Sequence, residues 1–463
     1  MISRTRCAHR RGVALLMAVF ALVVTSALGL ALCAVGSGEL AVSDSYADMT
    51  NAFMAAESGL QIATKALVDL EIPADTDADS VMDDLATSLA SRFASGVQRN
   101  SDGDIVVPAC TLACGQFELR ISQVTSADGT LGCRVWAVGT KDGTSRTLSL
   151  DFAVANRMPG IFDYGVAAKG SIMVKGSAQI VGLPGSTGGP DIFSACAAGT
   201  PMTVKSSAVI AGDLAIMGSS PFDVDLNGNA SVGGTTDPDL IRSDHIATNV
   251  EEPQWPKYDI EQFRDMTTTV VNSGTNLNGS NIVLENVLIK AGTNPQFKNN
   301  TVLNGIVFVE YPNDVNFKSD VTVNGLIVAD PGPTDALAGT IEFKSGASLP
   351  GVDALPDTDT WAQIKEHTGT AILAPGSAVR FKAQATGING AIVGAEVDFK
   401  ASSEVSGPHA GPILSLSESF EMEFKAGALI SLAEEPSDDL PAGFVSERCI
   451  EACFESYTEH VQP

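Results

Sequence analysis

From Val13 to Val35 the chain runs for 23 residues without a charge. At a helical rise of ~1.5 Å per residue that run is about 35 Å long, enough to cross the hydrocarbon core of a bilayer. Arg4, Arg6, Arg10 and Arg11 precede it with no acid among them. The positive-inside rule therefore predicts a single-pass inner-membrane protein with its amino terminus in the cytoplasm and its ectodomain periplasmic or extracellular. A secretory signal has a shorter apolar region of about 7–15 residues. A lipoprotein site at Leu30-Ala31-Leu32-Cys33 would put the bulky Leu32 where a small residue is required.

After Gly36-Ser37-Gly38, apolar or small residues fall at Val42, Tyr46, Met49, Phe53, Ala56, Leu60, Ala63, Leu67 and Leu70, in alternating steps of four and three. That spacing predicts one packing stripe on a helix that continues out of the membrane, with the Gly/Ser joint as a bend. The predicted helix occupies 13–71, behind a basic leader at 1–12.

Arg10-Arg11-Gly12 before the apolar run, with AAESGLQIA at Ala55 to Ala63, resembles the amino-terminal segment of PilX-type minor pilins and of pilin-like (pseudopilin) proteins. The resemblance covers about 70 residues. It implies cleavage between Gly12 and Val13 by a prepilin peptidase, methylation of the new amino terminus, and a helix that packs with other pilin-like subunits in a type IV pilus or type II secretion filament. Tyr46, Met49, Phe53, Glu57, Leu60 and Leu67 would then be filament- or helix-packing positions. Met17 stands at the fifth mature position, where most shaft subunits carry glutamate; some tip-located pseudopilins also lack it. A plain membrane anchor that never polymerises has the same sequence pattern.

Ile72-Pro73 stops the helix, and DTDAD at Asp75 to Asp79 leads into a short amphipathic helix marked by Met82, Leu85, Leu89 and Phe93. From Ile105 the period becomes two. Phe117, Leu119 and Ile121 alternate, Val135 and Ala137 follow, Asp142-Gly143 makes a turn, and Leu148, Leu150 and Phe152 alternate again. This predicts an antiparallel meander of about four strands in an α+β domain over 72–157, the arrangement that the resemblance also implies for a pilin head.

Beyond Met158-Pro159-Gly160 a short unit recurs: VKGSAQIVG from Val174, VKSSAVIAG from Val204, FKNNTVLNG from Phe297, FKSDVTVNG from Phe317 and FKSGASLPG from Phe343. FKAQATGING from Phe381, FKASSEVSG from Phe399 and FKAGALISL from Phe424 complete the set. An inward Val or Phe, an outward lysine, a small polar turn, an inward aliphatic residue and a corner glycine are the parts of one coil of an all-β, right-handed β-solenoid (β-helix). That region is expected over 158–435, with helical inserts near 246–270 and 353–368 and a tail at 436–463.

Eight of the fourteen lysines occupy the second position of the unit: Lys175, Lys205, Lys298, Lys318, Lys344, Lys382, Lys400 and Lys425. Stacked in register they form either a stripe for an anionic polymer such as cell-surface polysaccharide, or a solvated face whose ammonium groups pair with acids on neighbouring coils. The net charge of −27 argues against a nucleic-acid partner.

Among the cysteines, Cys110, Cys114, Cys133, Cys449 and Cys453 are disulfide candidates in an exported region. CTLAC and CIEAC lack both the two-residue spacing and the neighbouring histidine of a zinc site. Asp223, Asp225 and Asn227 begin a D-x-D-x-N-G run that matches the first half of a calcium loop, but Gly234 stands where the bidentate acid belongs. No nucleotide loop, hydrolase elbow or histidine cluster appears, so no cofactor and no catalytic residue is expected. A structural or adhesive role is the expectation, with a polysaccharide-acting enzyme as the remote alternative.

Overall fold

The computed structural model describes residues 8–70, 72, 78–93, 96–125, 131–186, 188–333, 337–433 and 440–460. Most of the basic leader, Pro73, the start of the DTDAD run and the beginning of the expected tail lie outside the described residues. The chain divides into two compact units, 1–157 with 447–463, and 158–446.

In the first unit, helix α1 spans Ala8–Val68 and passes through Gly12, Val13 and Gly36-Ser37-Gly38 without interruption. It is long and apolar enough to cross a membrane. Its two halves differ in surroundings. Leu16, Phe20, Val24, Leu28, Leu32 and Val42 are exposed, whereas Ala52, Ala55, Ala56, Leu60, Ala63, Ala66 and Leu67 are buried. Helix α2, Ala78–Arg92, adds Val81, Met82, Leu85 and Leu89 to the same core.

The partner of both helices is an antiparallel sheet of β1 (Gln98–Arg99), β2 (Ile105–Leu112), β3 (Gly115–Thr125), β4 (Leu131–Lys141) and β5 (Thr144–Arg157). Asp142 and Gly143 both take positive φ, 44° and 85°, as the tight turn between β4 and β5 requires. Alternate residues Phe117, Leu119, Ile121, Val135, Ala137, Leu148, Leu150 and Phe152 face the helices and are buried. The helix sits close to the sheet. A Cβ on Gly139 would stand 2.0 Å from the Ala52 carbonyl oxygen and 2.5 Å from the Ala56 nitrogen.

Of the six packing positions on α1, Leu60 and Leu67 are buried in this unit's own core; Met49, Phe53 and Glu57 are half-buried, and Tyr46 stands well exposed, at 66%. One expectation is corrected: the chain from residue 447 on is not a tail. Glu447–His460 is the sixth strand of the sheet, antiparallel to β5. It satisfies the free edge of β5 and brings Ile450 opposite Val154 into the core.

The second unit is mostly β, and its large sheet is built of parallel pairs. Asn313–Phe317 pairs in parallel with Gly339–Phe343, that with Thr370–Phe381, and that with Ala391–Phe399. The column continues through Met422–Phe424, Ile172–Val174, Met202–Ser206 and Asp225–Gly228. Chain order and spatial order differ. Ile172–Val174 lies between Met422–Phe424 on one side and Met202–Ser206 on the other, so the chain enters the column in its middle. From there it runs to one end at Ile246–Ala247, then crosses to the other end at Thr269–Val271, which pairs with Val283–Ile289. Strands after Val283 then build back to Ile413–Ser415, which pairs with Val166–Ala168.

The long gap between the units at Val204 and Phe297 is that crossing. Ile260 and Phe263 from it are buried with Phe308, Leu326, Trp361, Ile364 and Phe444. Both expected inserts carry short helical turns, Glu261–Asp265 and Ala362–Lys365.

Candidate functional site

Alternation along a strand sends the Phe of each repeat inward and its two neighbours outward. Parallel register then stacks like on like. Phe297, Phe317, Phe343, Phe381, Phe399 and Phe424 form a continuous inner column with ring centroids 4.6–5.5 Å apart and interplanar angles of 6–19°. Val174, Val204 and Leu226 extend it.

The lysines follow the same register. The amide of Lys318 donates to the Phe297 carbonyl, and the amides of Lys344, Lys382, Lys400, Lys425 and Lys175 donate to Phe317, Phe343, Phe381, Phe399 and Phe424 in turn. Read along the column, the order is Lys298, Lys318, Lys344, Lys382, Lys400, Lys425, Lys175, Lys205. Their spacing is set by the sheet at about 4.8 Å.

The acids that balance them stand one residue before the Phe. Lys344 and Lys382 share Glu342. Lys400 lies 2.7 Å from Asp398 and 3.6 Å from Glu423. Glu423 also pairs with Lys425 and, at 3.9 Å, with Lys175. Lys205 pairs with Asp225 at 3.0 Å. Among the described residues no ion pair involves Lys298 or Lys318 (Gln296 and Asn316 occupy the outward positions beside them). The signal for these acids was present as Glu-Phe-Lys, Asp-Phe-Lys and Glu-Phe-Lys at Glu342, Asp398 and Glu423.

At mid-column the Arg380 guanidinium forks onto Glu396 at 2.9 and 2.6 Å. Asp398 is 2% exposed, and its Oδ1 has no hydrogen-bond partner. Burial, with a contribution from Glu396, pushes the Asp398 carboxyl up to about 6, against the pull of Lys400. Burial also opposes ionisation of Glu396, but the Arg380 hydrogen bonds outweigh it and hold that carboxyl below its ordinary range. The same balance holds for Glu342, where burial is outweighed by Lys344 and Lys382. Lys175 is pushed down by burial and by the adjacent Lys425 ammonium.

A pH dependence follows. The folded chain keeps a proton on Asp398 that the unfolded chain has lost between its model-peptide value of 3.8 and about 6, so this group's contribution to stability falls as pH rises through that window. Asp398→Asn is expected to stabilise the parallel unit by on the order of 1–3 kcal/mol at about pH 8 and to have little effect below about pH 3. Thermal melts of both proteins across that range check it.

Other predicted residues are not brought together. The run at Asp223, Asp225 and Asn227 is no cation loop. Asp223 closes a capping box with Ser220, and Asp225 and Asn227 lie on the strand Asp225–Gly228 beside Lys205. Among the described residues no group of three His, Cys, Asp or Glu side chains is arranged to hold a metal ion.

Of the disulfide candidates, Cys110, Cys114, Cys133 and Cys453 form no disulfide among the described residues. Cys110 on β2 lies opposite Phe117, which lies opposite Gly139, six residues along β4 from Cys133; at about 3.4 Å per residue that offset alone is about 20 Å, beyond disulfide reach. Cys449 and Cys453 lie on one extended strand. Cys133 is buried, which pushes its thiol up to about 12.

A separate cavity of about 200 Å³ lies where the two runs of the parallel unit meet, walled by Phe162, Tyr164, His409, Pro412 and Leu432. His409 faces Asp353 at 3.5 Å.

No protein-family model matches the chain, and no curated protein matches it. A solved structure that it matches is that of the competence-associated pilin ComZ from Thermus thermophilus, with 13% identity and a TM-score of 0.24 over 90% of this chain and 98% of that one. A score that low transfers neither fold nor role.

Proposed function

We propose that the protein is a pilin-like, single-pass membrane protein that holds a β-solenoid outside the cytoplasm in a structural, non-enzymatic role. The observation that carries this reading is the division of α1. One uninterrupted helix leaves its apolar first half uncovered and buries its second half, from Ala52 to Leu67, on the antiparallel sheet of its own unit. Exposed side chains such as Leu16, Phe20 and Leu28 need a bilayer or other helices around them. The solenoid reading is supported by parallel columns that the chain revisits every 18–38 residues, with like side chains stacked in each. The four arginines before the span favour a cytoplasmic amino terminus.

A second reading, an anchor that never polymerises, is favoured by one observation. Leu60 and Leu67 are consumed inside the molecule, so a neighbouring subunit could use only the stripe up to about Phe53. Amino-terminal sequencing of the membrane-extracted protein tests the proposal. A start at Val13 is expected; an intact Met1 or a lipidated Cys33 overturns the processed pilin-like reading and leaves the plain anchor.

A further inference from the structure

We infer that the lysine column is a docking track for a linear acidic polysaccharide, a polyuronate with one carboxylate on each sugar. This deepens the display reading above, since a track of this kind acts only where the unit meets extracellular polymer. The argument rests on an imbalance of charge. Eight ammonium groups stand in one line, and among the described residues only four carboxylates, those of Glu342, Asp398, Glu423 and Asp225, are within ion-pair distance of any of them. Glu423 alone is shared by Lys175, Lys400 and Lys425. Each shared carboxylate leaves its lysines only partly neutralised, with Glu421 acting on Lys175, Lys205 and Lys425 from beyond ion-pair distance, and Lys298 and Lys318 make no ion pair among the described residues. Asp320, two residues after Lys318, lies against the turn at Gly346 instead.

The lysines are also accessible. Where an ion pair fixes them, their side chains are 23–46% exposed, with stems along the rungs and ammonium groups at the surface. On the flank away from the acids, the next residue in the unit is Asn299, Ser319, Ser345, Ala383, Ala401 or Ala426. Those side chains are small and neutral, so a polymer can lie beside the ammonium groups, and the Asn and Ser positions offer hydrogen bonds to sugar hydroxyls. A single-stranded nucleic acid fits less well. Its binding draws on aromatic side chains that stack with bases, and the outward positions beside these lysines hold Gln296, Asn316, Glu342, Arg380, Asp398 and Glu423.

The test uses the full chain in lipid nanodiscs, immobilised and exposed to polygalacturonate, with neutral dextran and single-stranded oligothymidylate as comparators. Polygalacturonate is expected to bind at ~50 mM salt, to be released by ~500 mM, and to be preferred over both comparators. The double variant Lys298→Gln/Lys318→Gln breaks no ion pair, so it keeps the fold, and it is expected to weaken binding at least about fivefold. Lys290→Gln/Lys365→Gln removes the same formal charge elsewhere and is expected to leave binding unchanged. The inference is overturned by absence of binding, by equal loss in the two double variants, by no loss in the first, or by tighter binding of the oligothymidylate. Because the assay reads purified protein, its outcome is independent of whether Gly12/Val13 is cleaved.

Discussion

Phe381→Ala is expected to lower the stability of the parallel unit by about 3–5 kcal/mol, measured as the shift in its guanidinium unfolding transition. The ring is fully buried and lies between Phe343 at 4.8 Å and Phe399 at 4.6 Å, nearly parallel to both. Truncation leaves a cavity that the neighbouring strands are too constrained to close, because each is hydrogen-bonded on both sides. It also removes two ring contacts worth roughly 0.5–1.5 kcal/mol each. Phe297→Ala supplies the comparison. Phe297 is equally buried but ends the column, with one stacked neighbour at 5.5 Å, so its loss should be smaller by about one ring contact. Equal losses at both positions would show that burial alone matters and that the stacking adds nothing.

Gly139→Val should destabilise the first unit by at least about 3 kcal/mol, at the upper end for overpacking. The reason is geometric. The added Cβ would meet the carbonyl oxygen of Ala52 and the nitrogen of Ala56, both backbone atoms of α1, so no side-chain rotation relieves the clash. Either β4 bends away or α1 lifts off the sheet, and with it the core contributed by Ala56, Leu60 and Ala63. The change should appear as early unfolding of this unit in hydrogen exchange, with the parallel unit unchanged. A stable variant with protected β4 amides would mean that helix and sheet are not locked at this point.

These two sites differ in how far the sequence exposes them. The Phe-Lys doublet is a local signal, and stacking follows once parallel register is assumed, so the inner column and the lysine line were both readable from the repeat. Which copy neighbours which was not. The unit at Val174 looks like every other copy, yet it touches both Val204 and Phe424, and nothing local encodes a partner some 250 residues away. The same limit applies to the carboxy-terminal strand. Glu447–His460 is dense in acids, with Ile450 its one buried aliphatic side chain, and only the vacant edge of β5 reveals its place. The helical stripe was plain as a pattern, but periodicity names a buried face without naming what buries it. Half of that stripe belongs to the molecule's own sheet. The ion pairs of Glu342, Asp398 and Glu423 were within reach of the sequence, since each acid directly precedes a Phe-Lys doublet.

The entry of the chain at mid-column has a consequence for biogenesis. The rungs between Val166 and Ala247 emerge first from the ribosome, yet one of their edges stays bare until Ile413–Ser415 and Met422–Phe424 have been synthesised. The antiparallel sheet waits even longer, for Glu447–His460. Neither unit can therefore mature vectorially, and a chain stopped short of its final strands would present two open templates for mispairing. Such a protein is either finished whole or left as a substrate for quality control.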